Sequence, residues 1–549
     1  MRALLRSLQF LAVAAALTLL VPASSRGEDT ALPIAAGPYQ ASWESLESQY
    51  QCPQWFRDAK LGIWAHWTAQ CVPEQGDWYA RSMYIQYNKG KDGKERWNAQ
   101  YQYQVEHYGH PSKFGFKDID NLWKAEKWEP EKLIALYKRA GAKYFVALAN
   151  HHDNFDCFNS KYQPWNSVNI GPKKDIVGGW AKAARAAGLR FGVTVHASHA
   201  WNWFEVAQGS DVDGPLKGIS YDGKLTKADG RGQWWEGFDP QDLYAQNHKP
   251  GKQFVWNWEM DKGSSRPDAA YCQKFFNRTK DLIDSYQPDL LYFDDVVLPL
   301  GFRPEIGLSI AAHLYNSSVQ RSGKNEAVMN TKGLDEQQRK ALVWDIERGV
   351  ADRVEPFVWQ TDTCIGSWHY RRETYEKHAY KTVHTVIAML ADIVSKNGNL
   401  LLNVPVRGDG TIDDQELAVV EGLAQWMPIN GEAIYGTRPW KIYGEGAKTQ
   451  KGSNFNEGKV KYTANDVRFT TKDGALYAIC LDVPTDAVSI RALGQAAGLL
   501  DKPISSISLL GSDAKIAWKQ QSDALVIQPA AKWPCENAVV FKISFGPGK

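Results

Sequence analysis

No two of the seven cysteines are spaced as a CxxC pair, so the sequence does not suggest a thiolate zinc site. The odd number leaves at least one thiol free unless two chains join. Cys480 and Cys535, both in the C-terminal region, are a candidate bridge. No cysteine has an evident base beside it, which gives no support to cysteine catalysis. Excess charge is also lacking. Lysine and arginine number 64 against 62 acids, a formal net charge of +2, and nothing in that balance points to nucleic acid or an acidic membrane surface. No Gly-x-Gly-x-x-Gly opens a helix after a strand, which disfavours dinucleotide binding. Beyond the first 25 residues no apolar run is long enough for a membrane span. No internal repeat is evident.

The N-terminus carries the marks of an export signal. Arg2 and Arg6 are basic, Leu8 to Val21 is apolar apart from Gln9 and Thr18, and Ala23 and Ser25 are small. Residues 1–25 are therefore read as a signal peptide and 26–54 as a linker. Aromatic residues are abundant, with 23 Trp, 24 Tyr and 20 Phe. Their flat faces suit the apolar faces of sugars, although most must pack in a core.

From residue 55 to about 440, buried-type strands alternate with helical stretches. The strands are Leu61 to His66, Ala142 to Asn150, Leu189 to His196, Leu290 to Phe293, Ala327 to Asn330 and Leu400 to Asn403. The helical stretches include Pro130 to Ala140, Gly178 to Ala187, Pro267 to Tyr286, Ile310 to Arg321 and Tyr375 to Ser395. Such units imply an α/β fold with a parallel sheet, and the polar strand ends favour a closed (β/α)8-like, TIM-type barrel. A long insertion at 205–261 contains Gln233-Trp234-Trp235-Glu236 and Trp256-Asn257-Trp258. It is read as either a substrate wall or a clasp packing its own tryptophans. Over 441–549 the texture becomes short alternating strands between Gly, Asp and Pro turns, an antiparallel β-sandwich.

The chemistry concentrates at strand ends, where a barrel gathers its catalytic groups. Asp294 closes the run Leu290-Leu291-Tyr292-Phe293, and a carboxylate there is expensive to bury without a partner. His66, the pair His151-His152 and His196 end other strands. Together they read as hydrogen-bonding groups for a polyhydroxylated ligand, with a metal site as the alternative. His151 and His152 point opposite ways in extended chain and share a ligand only if the chain bends. Glu347, in Trp344-Asp345-Ile346-Glu347-Arg348, is a second acid for glycosidic chemistry on a loop past the Ala327 to Asn330 strand; its alternative is a salt-bridged loop residue.

Several motifs, in order, resemble family 29 of the glycoside hydrolases, the α-L-fucosidases. They are Trp55-Phe-Arg-Asp-Ala-Lys-Leu-Gly-Ile-Trp-Ala-His66-Trp67, Asp77-Trp78-Tyr79-Ala80-Arg81, His151-His152-Asp153-Asn154-Phe155, Ser160-Lys-Tyr, and Asp392-Ile-Val-Ser-Lys-Asn-Gly-Asn-Leu-Leu-Leu-Asn403 with Asp409-Gly-Thr-Ile412. Trp426 with Asn430-Gly-Glu-Ala-Ile-Tyr435-Gly436 completes the set. The resemblance implies a catalytic barrel followed by a β-sandwich and a retaining exo-glycosidase acting on terminal α-L-fucosides. No cofactor or metal is implied, and the partner is a fucose-containing glycan, with neither nucleic acid nor membrane. It implies Asp294 as nucleophile, with Asp295 as runner-up, and Glu347 as acid/base. It maps sugar-binding roles onto His66, His151 and His152, an aromatic pocket role onto Trp78, and a place beside the sugar's methyl group onto Tyr292. Three departures are visible. Thr194-Val195-His196 replaces Tyr-Tyr-Ser, Gln360 replaces a Glu, and Asn330-Thr331-Lys332-Gly333 puts Lys332 where the family has Arg. These leave open an L-galactoside or sulfated-fucoside substrate, with Lys332, His196 and His199 serving an anion. A binding protein on a dead barrel remains a rival of another class.

Overall fold

Eight parallel strands close a barrel in sequence order: β1 (Leu61–Ala65), β2 (Tyr144–Asn150), β3 (Arg190–Val195), β4 (Leu290–Val296), β5 (Val328–Lys332), β6 (Val343–Asp345), β7 (Trp359–Cys364) and β8 (Gly398–Asn403), with β8 paired back to β1. The computed structural model describes residues 32–90, 92–245, 247–251, 255–256, 263–446, 452–457 and 461–547. The stretch read as an export signal lies outside the described residues, as do Asn257 and Trp258.

The barrel strands are apolar on both faces because helices cover the outside and side chains fill the inside. Phe56, Trp64, Tyr144, Leu290, Val328 and Leu401 form one buried cluster. Gly62 is required within it: a Cβ there would lie 2.2 Å from the Tyr144 ring. Helix signals are local. Pro130 starts the helix Pro130–Arg139, and the Asp175 and Asp268 side chains cap Ile176–Ala186 and Ala269–Tyr286 by accepting from Gly178 and Tyr271 N–H. The segment read as a linker carries helix Trp43–Gln49. It is tied to helix Pro304–Ser322, whose His313 and Asn316 side chains accept from the Ala35 and Tyr39 N–H groups.

Three expectations are corrected. The long helix expected over Tyr375 to Ser395 is two helices, Arg372–Glu376 and Val383–Ser395, because the residues between them carry no apolar stripe and His378 turns left-handed. Glu347 lies on a loop past the Ala327 to Asn330 strand but does not follow it directly, since β6 intervenes. Cys480 and Cys535 do not bridge. All seven cysteines are free thiols, and Cys535 Sγ rests 3.4 Å from the Ala538 carbonyl.

After helix Asp414–Asn430 come two antiparallel sheets. The first comprises Arg438–Glu445, Val467–Lys472, Ala475–Cys480, Val539–Phe545 and Ile504–Leu509; the second comprises Val488–Ile490, Leu525–Ile527 and Trp518–Gln520. Both contribute to one apolar cluster that includes Phe469, Leu493, Leu525 and Phe541, so they pack as a sandwich. The sandwich is bolted to the barrel by Asp392, whose buried carboxylate takes both Lys396 and Arg468. Burial opposes its ionisation, but the two cations outweigh burial and hold its pKa below the usual carboxylate range.

Candidate active site

The C-terminal ends of the barrel strands open into a cavity of about 880 Å³. All nine residues singled out in the sequence line it: His66, Trp78, His151, His152, His196, Tyr292, Asp294, Lys332 and Glu347.

The histidines form its floor. β1 delivers His66, whose N–H is fixed by Asn403 Oδ1 at 2.9 Å. The chain turns as it leaves β2, so His151 and His152 both face inward with ring centroids 4.5 Å apart. Gln70 Nε2 donates to His151 Nδ1 at 3.0 Å, which leaves the His151 proton on Nε2. His152 Nδ1 donates to the His196 carbonyl at 2.8 Å and turns Nε2 toward Asp294 Oδ2 at 3.4 Å. Burial, joined by neighbouring imidazoles, drives His66, His151 and His196 well below the ordinary histidine pKa, so they are neutral. His152 goes the other way. Burial opposes its charge, but the hydrogen bond and charge of Asp294 prevail and raise it. Both ring nitrogens of His66 and of His196 are buried without a hydrogen-bond partner among the described residues. Such groups suit hydroxyls that both donate and accept.

The ligand atoms of His66, Asp77, His151 and His369 lie within 4.8 Å of one another, as do those of His151, His152 and His196. Several of these atoms are already engaged. His369 binds Asp77 through Nδ1 at 2.6 Å and Thr68 through Nε2 at 3.0 Å.

The acids meet on one cation. Lys332, the last residue of β5, hydrogen-bonds through Nζ to Asp294 Oδ1 and to Glu347 Oε2. Two oxygens bound to one nitrogen lie within about 6 Å of each other, twice a hydrogen-bond length. Burial works against an ionised Asp294, but the Lys332 charge and the His152 hydrogen bond hold its pKa well below the carboxylate norm. Glu347 is pushed up to about 7 by burial and by the nearby Asp294 charge, with Lys332 pulling the other way. One acid is thus ionised and the other protonated below neutrality. Asp295 is occupied elsewhere: both its oxygens accept from Ser198 Oγ, at 3.0 and 2.8 Å, and His199 Nε2 lies 3.0 Å from Oδ1.

Aromatic residues wall the pocket. Trp78 stands against Trp256 of the insertion at 5.2 Å between ring centroids. Trp235 is buried, and Trp234 Nε1 donates to Asp118 away from the cavity at 2.8 Å. The insertion is therefore both wall and clasp. Tyr292 points its hydroxyl at Asp362 Oδ2, 3.1 Å away, and its ring lies between Trp64 and His196.

Sequence reading missed Asp362, Asp345, Trp368 and His369. Asp345 accepts from Gln360 Nε2 at 2.7 Å and is raised to about 6 by burial; Asp362 is raised well above normal by burial and then by Asp345. The available signal was the polar alternation in Trp359-Gln360-Thr361-Asp362, where a barrel interior otherwise wants apolar side chains.

A β/α barrel with two acids of opposite protonation at the base of a histidine- and tryptophan-lined pocket is the layout of a glycoside hydrolase. The chain belongs to the alpha-L-fucosidase family, whose description matches residues 28–432, with the alpha-L-fucosidase C-terminal domain matching 459–544. It is 27% identical to tissue alpha-L-fucosidase of Rattus norvegicus over 553 residues, 97% of each chain. The human tissue alpha-L-fucosidase is 26% identical, covering 92% of each. Among solved structures, a Thermotoga maritima alpha-fucosidase in complex with fucose superposes with a TM-score of 0.64 at 27% identity, spanning 92% of this chain and 100% of that one.

Proposed function

We propose that the protein is a retaining exo-glycosidase that hydrolyses terminal α-L-fucosides of oligo- or polysaccharides by double displacement. The observation that carries this reading is the shared contact of Asp294 and Glu347 with Lys332. It holds one oxygen of each acid within about 6 Å of the other, which supports the close spacing of retaining enzymes over the about 6.5–9.5 Å that leaves room for an inverting water. Asp294, ionised, attacks the anomeric carbon. Glu347, protonated, donates to the departing oxygen and then accepts a proton from the water that releases fucose. Neutral His66, His151 and His196 hold ring hydroxyls, with Trp78 and Tyr292 packing the apolar face of the sugar. The test is turnover of an aryl α-L-fucoside followed by NMR from the first seconds. The α-anomer of fucose should form first, and initial β-fucose would sink the retaining scheme.

The family match and the fucose-bound relative support fucose over the other sugars considered. The sulfated-fucoside reading loses its main anchor because Lys332 is already shared between two carboxylates. Arg2, Arg6 and the apolar stretch after them support export, with cleavage near Ser25. N-terminal sequencing of the mature chain checks that reading. No helix among the described residues is long and apolar enough to cross a membrane.

Lys332 has a predictable role in pH dependence. Its positive charge lowers the pKa of both Asp294 and Glu347, so removing it favours the protonated form of each. In Lys332→Met, both limbs of the kcat/KM profile should move to higher pH, by about one to three units. Unmoved limbs would mean that Lys332 does not set these protonation states.

A further inference from the structure

Most large apolar side chains of this protein are buried, yet three of the exposed ones, Val296, Trp256 and Phe455, line the same cavity. Trp256 belongs to the sugar wall beside Trp78 and His199. Val296 and Phe455 differ: they are 71% and 62% exposed and stand at the mouth, above a histidine floor that is almost fully buried. Exposed apolar groups at a cavity rim mark a contact surface.

Phe455 comes from far away in sequence, on a segment between the first two strands of the sandwich, and it is held against the backbone that carries Glu347. Phe455 N–H donates to the Glu347 carbonyl at 2.9 Å, Glu457 N–H donates to the Arg348 carbonyl at 3.0 Å, and Ser453 bridges antiparallel to Val350. The Glu457 carboxylate fastens the segment from below, taking Arg348 Nε at 2.6 Å, Lys381 Nζ at 3.0 Å and the Thr363 hydroxyl. The match is close enough that a Cβ on Gly349 would lie 2.1 Å from the Ser453 carbonyl oxygen.

The backbone is strained at the same places. Phe455 (φ 52°), Arg348 (φ 47°) and Val297 (φ 65°) are all left-handed without being glycine, and for a β-branched residue such as Val297 that conformation is a true outlier. Each lies at or next to a group facing the cavity: Phe455 itself, Glu347 and Val296. Strain of this kind persists where surrounding structure enforces it, and it gathers at ligand contacts. Here the enforcing contacts are visible: Val297 N–H donates to the Lys332 carbonyl at 2.8 Å, and Arg348 N–H to the Asp362 carbonyl at 2.8 Å.

We propose that Phe455 and Val296 form the leaving-group subsite, two apolar surfaces that take the C–H face of the pyranose to which the terminal fucose is attached. The assignment rests on Glu347 being the proton donor, since the group Glu347 protonates must lie on its side of the fucose. An aromatic ring beside that acid suits a sugar ring whose axial hydrogens form a flat apolar patch. The subsite is specific to oligosaccharide aglycones and adds nothing to the holding of fucose itself.

The test compares two substrates on the full-length protein and on Phe455→Ala and Phe455→Trp. One is α-L-fucosyl fluoride, whose leaving group is too small to reach residue 455. The other is a fucosylated lactose trisaccharide. The ratio of kcat/KM on the trisaccharide to kcat/KM on the fluoride should fall roughly ten- to hundredfold in Phe455→Ala and stay near the wild-type value in Phe455→Trp. A ratio within twofold of wild type in Phe455→Ala would overturn the subsite, as would an equal loss in both variants. If the wild-type protein turned over neither substrate, the fucosidase reading itself would fall, a result distinct from an altered ratio.

Discussion

Asp294→Gly should lower kcat on an activated fucoside by on the order of 10⁴-fold, the scale seen when a group that acts in covalent chemistry is removed. The reason is geometric and electrostatic together. Asp294 lies within hydrogen-bond reach of Lys332 and His152, and these outweigh burial and keep it ionised far into the acid range. Its side chain is about a quarter exposed, toward the cavity, so it is reachable by a sugar. Its neighbour cannot stand in. Asp295 is 3% exposed, against the quarter-exposed Asp294, and its oxygens are already engaged by Ser198 and His199. Added azide should restore turnover in Asp294→Gly by attacking from the vacated face, and the product should be the inverted β-fucosyl azide. A 2-fluoro-fucosyl fluoride trap on the wild-type protein should leave a covalent adduct on Asp294, located by fragmentation mass spectrometry. An adduct on any other residue would reject the assignment.

The fold was legible wherever burial demanded continuous apolar strands. Tyr144–Asn150, Arg190–Val195 and Leu290–Val296 announce themselves because both of their faces are covered. The two strands that escaped reading, Val343–Asp345 and Trp359–Cys364, did so for physical reasons. The first is only three residues long, and no α-helix precedes it or separates it from the second, so the strand–helix rhythm lapses there. The second carries Gln360 and Asp362 into the barrel interior, breaking the apolar rule in order to supply the hydrogen bonds under Tyr292 and Asp345. The site follows the same division. The histidines were visible because strand ends in a barrel converge by topology. His369 lies within a loop, and its link to Asp77 joins residues 292 positions apart, which no local pattern encodes. Phe455 is farther still from local encoding, because its relation to Glu347 runs through backbone hydrogen bonds between segments more than 100 residues apart.

Glu347→Ala should separate substrates by leaving group. Loss of a positioned general acid costs about 10²–10⁴-fold when the departing oxygen needs a proton. Fucosides of weakly acidic alcohols should therefore fall by that factor, whereas a dinitrophenyl fucoside, which departs without help, should retain most of its first-step rate. The pH profile gives an independent check. Burial and the charge of Asp294 raise Glu347 to about 7, so wild-type kcat/KM on a poor leaving group should decline as pH rises through 7, where the donor loses its proton. That alkaline limb should vanish in Glu347→Gln. The same electrostatics fit the second step. Once Asp294 is esterified its charge is gone, and one of the causes that raised Glu347 goes with it. The pKa of Glu347 then falls, the carboxylate form dominates near neutrality, and it is ready to take the proton of the incoming water. Equal losses on good and poor leaving groups, with the alkaline limb intact in Glu347→Gln, would show that the proton comes from elsewhere, and Asp362, raised by burial and by Asp345 at the same cavity, would become the group to test.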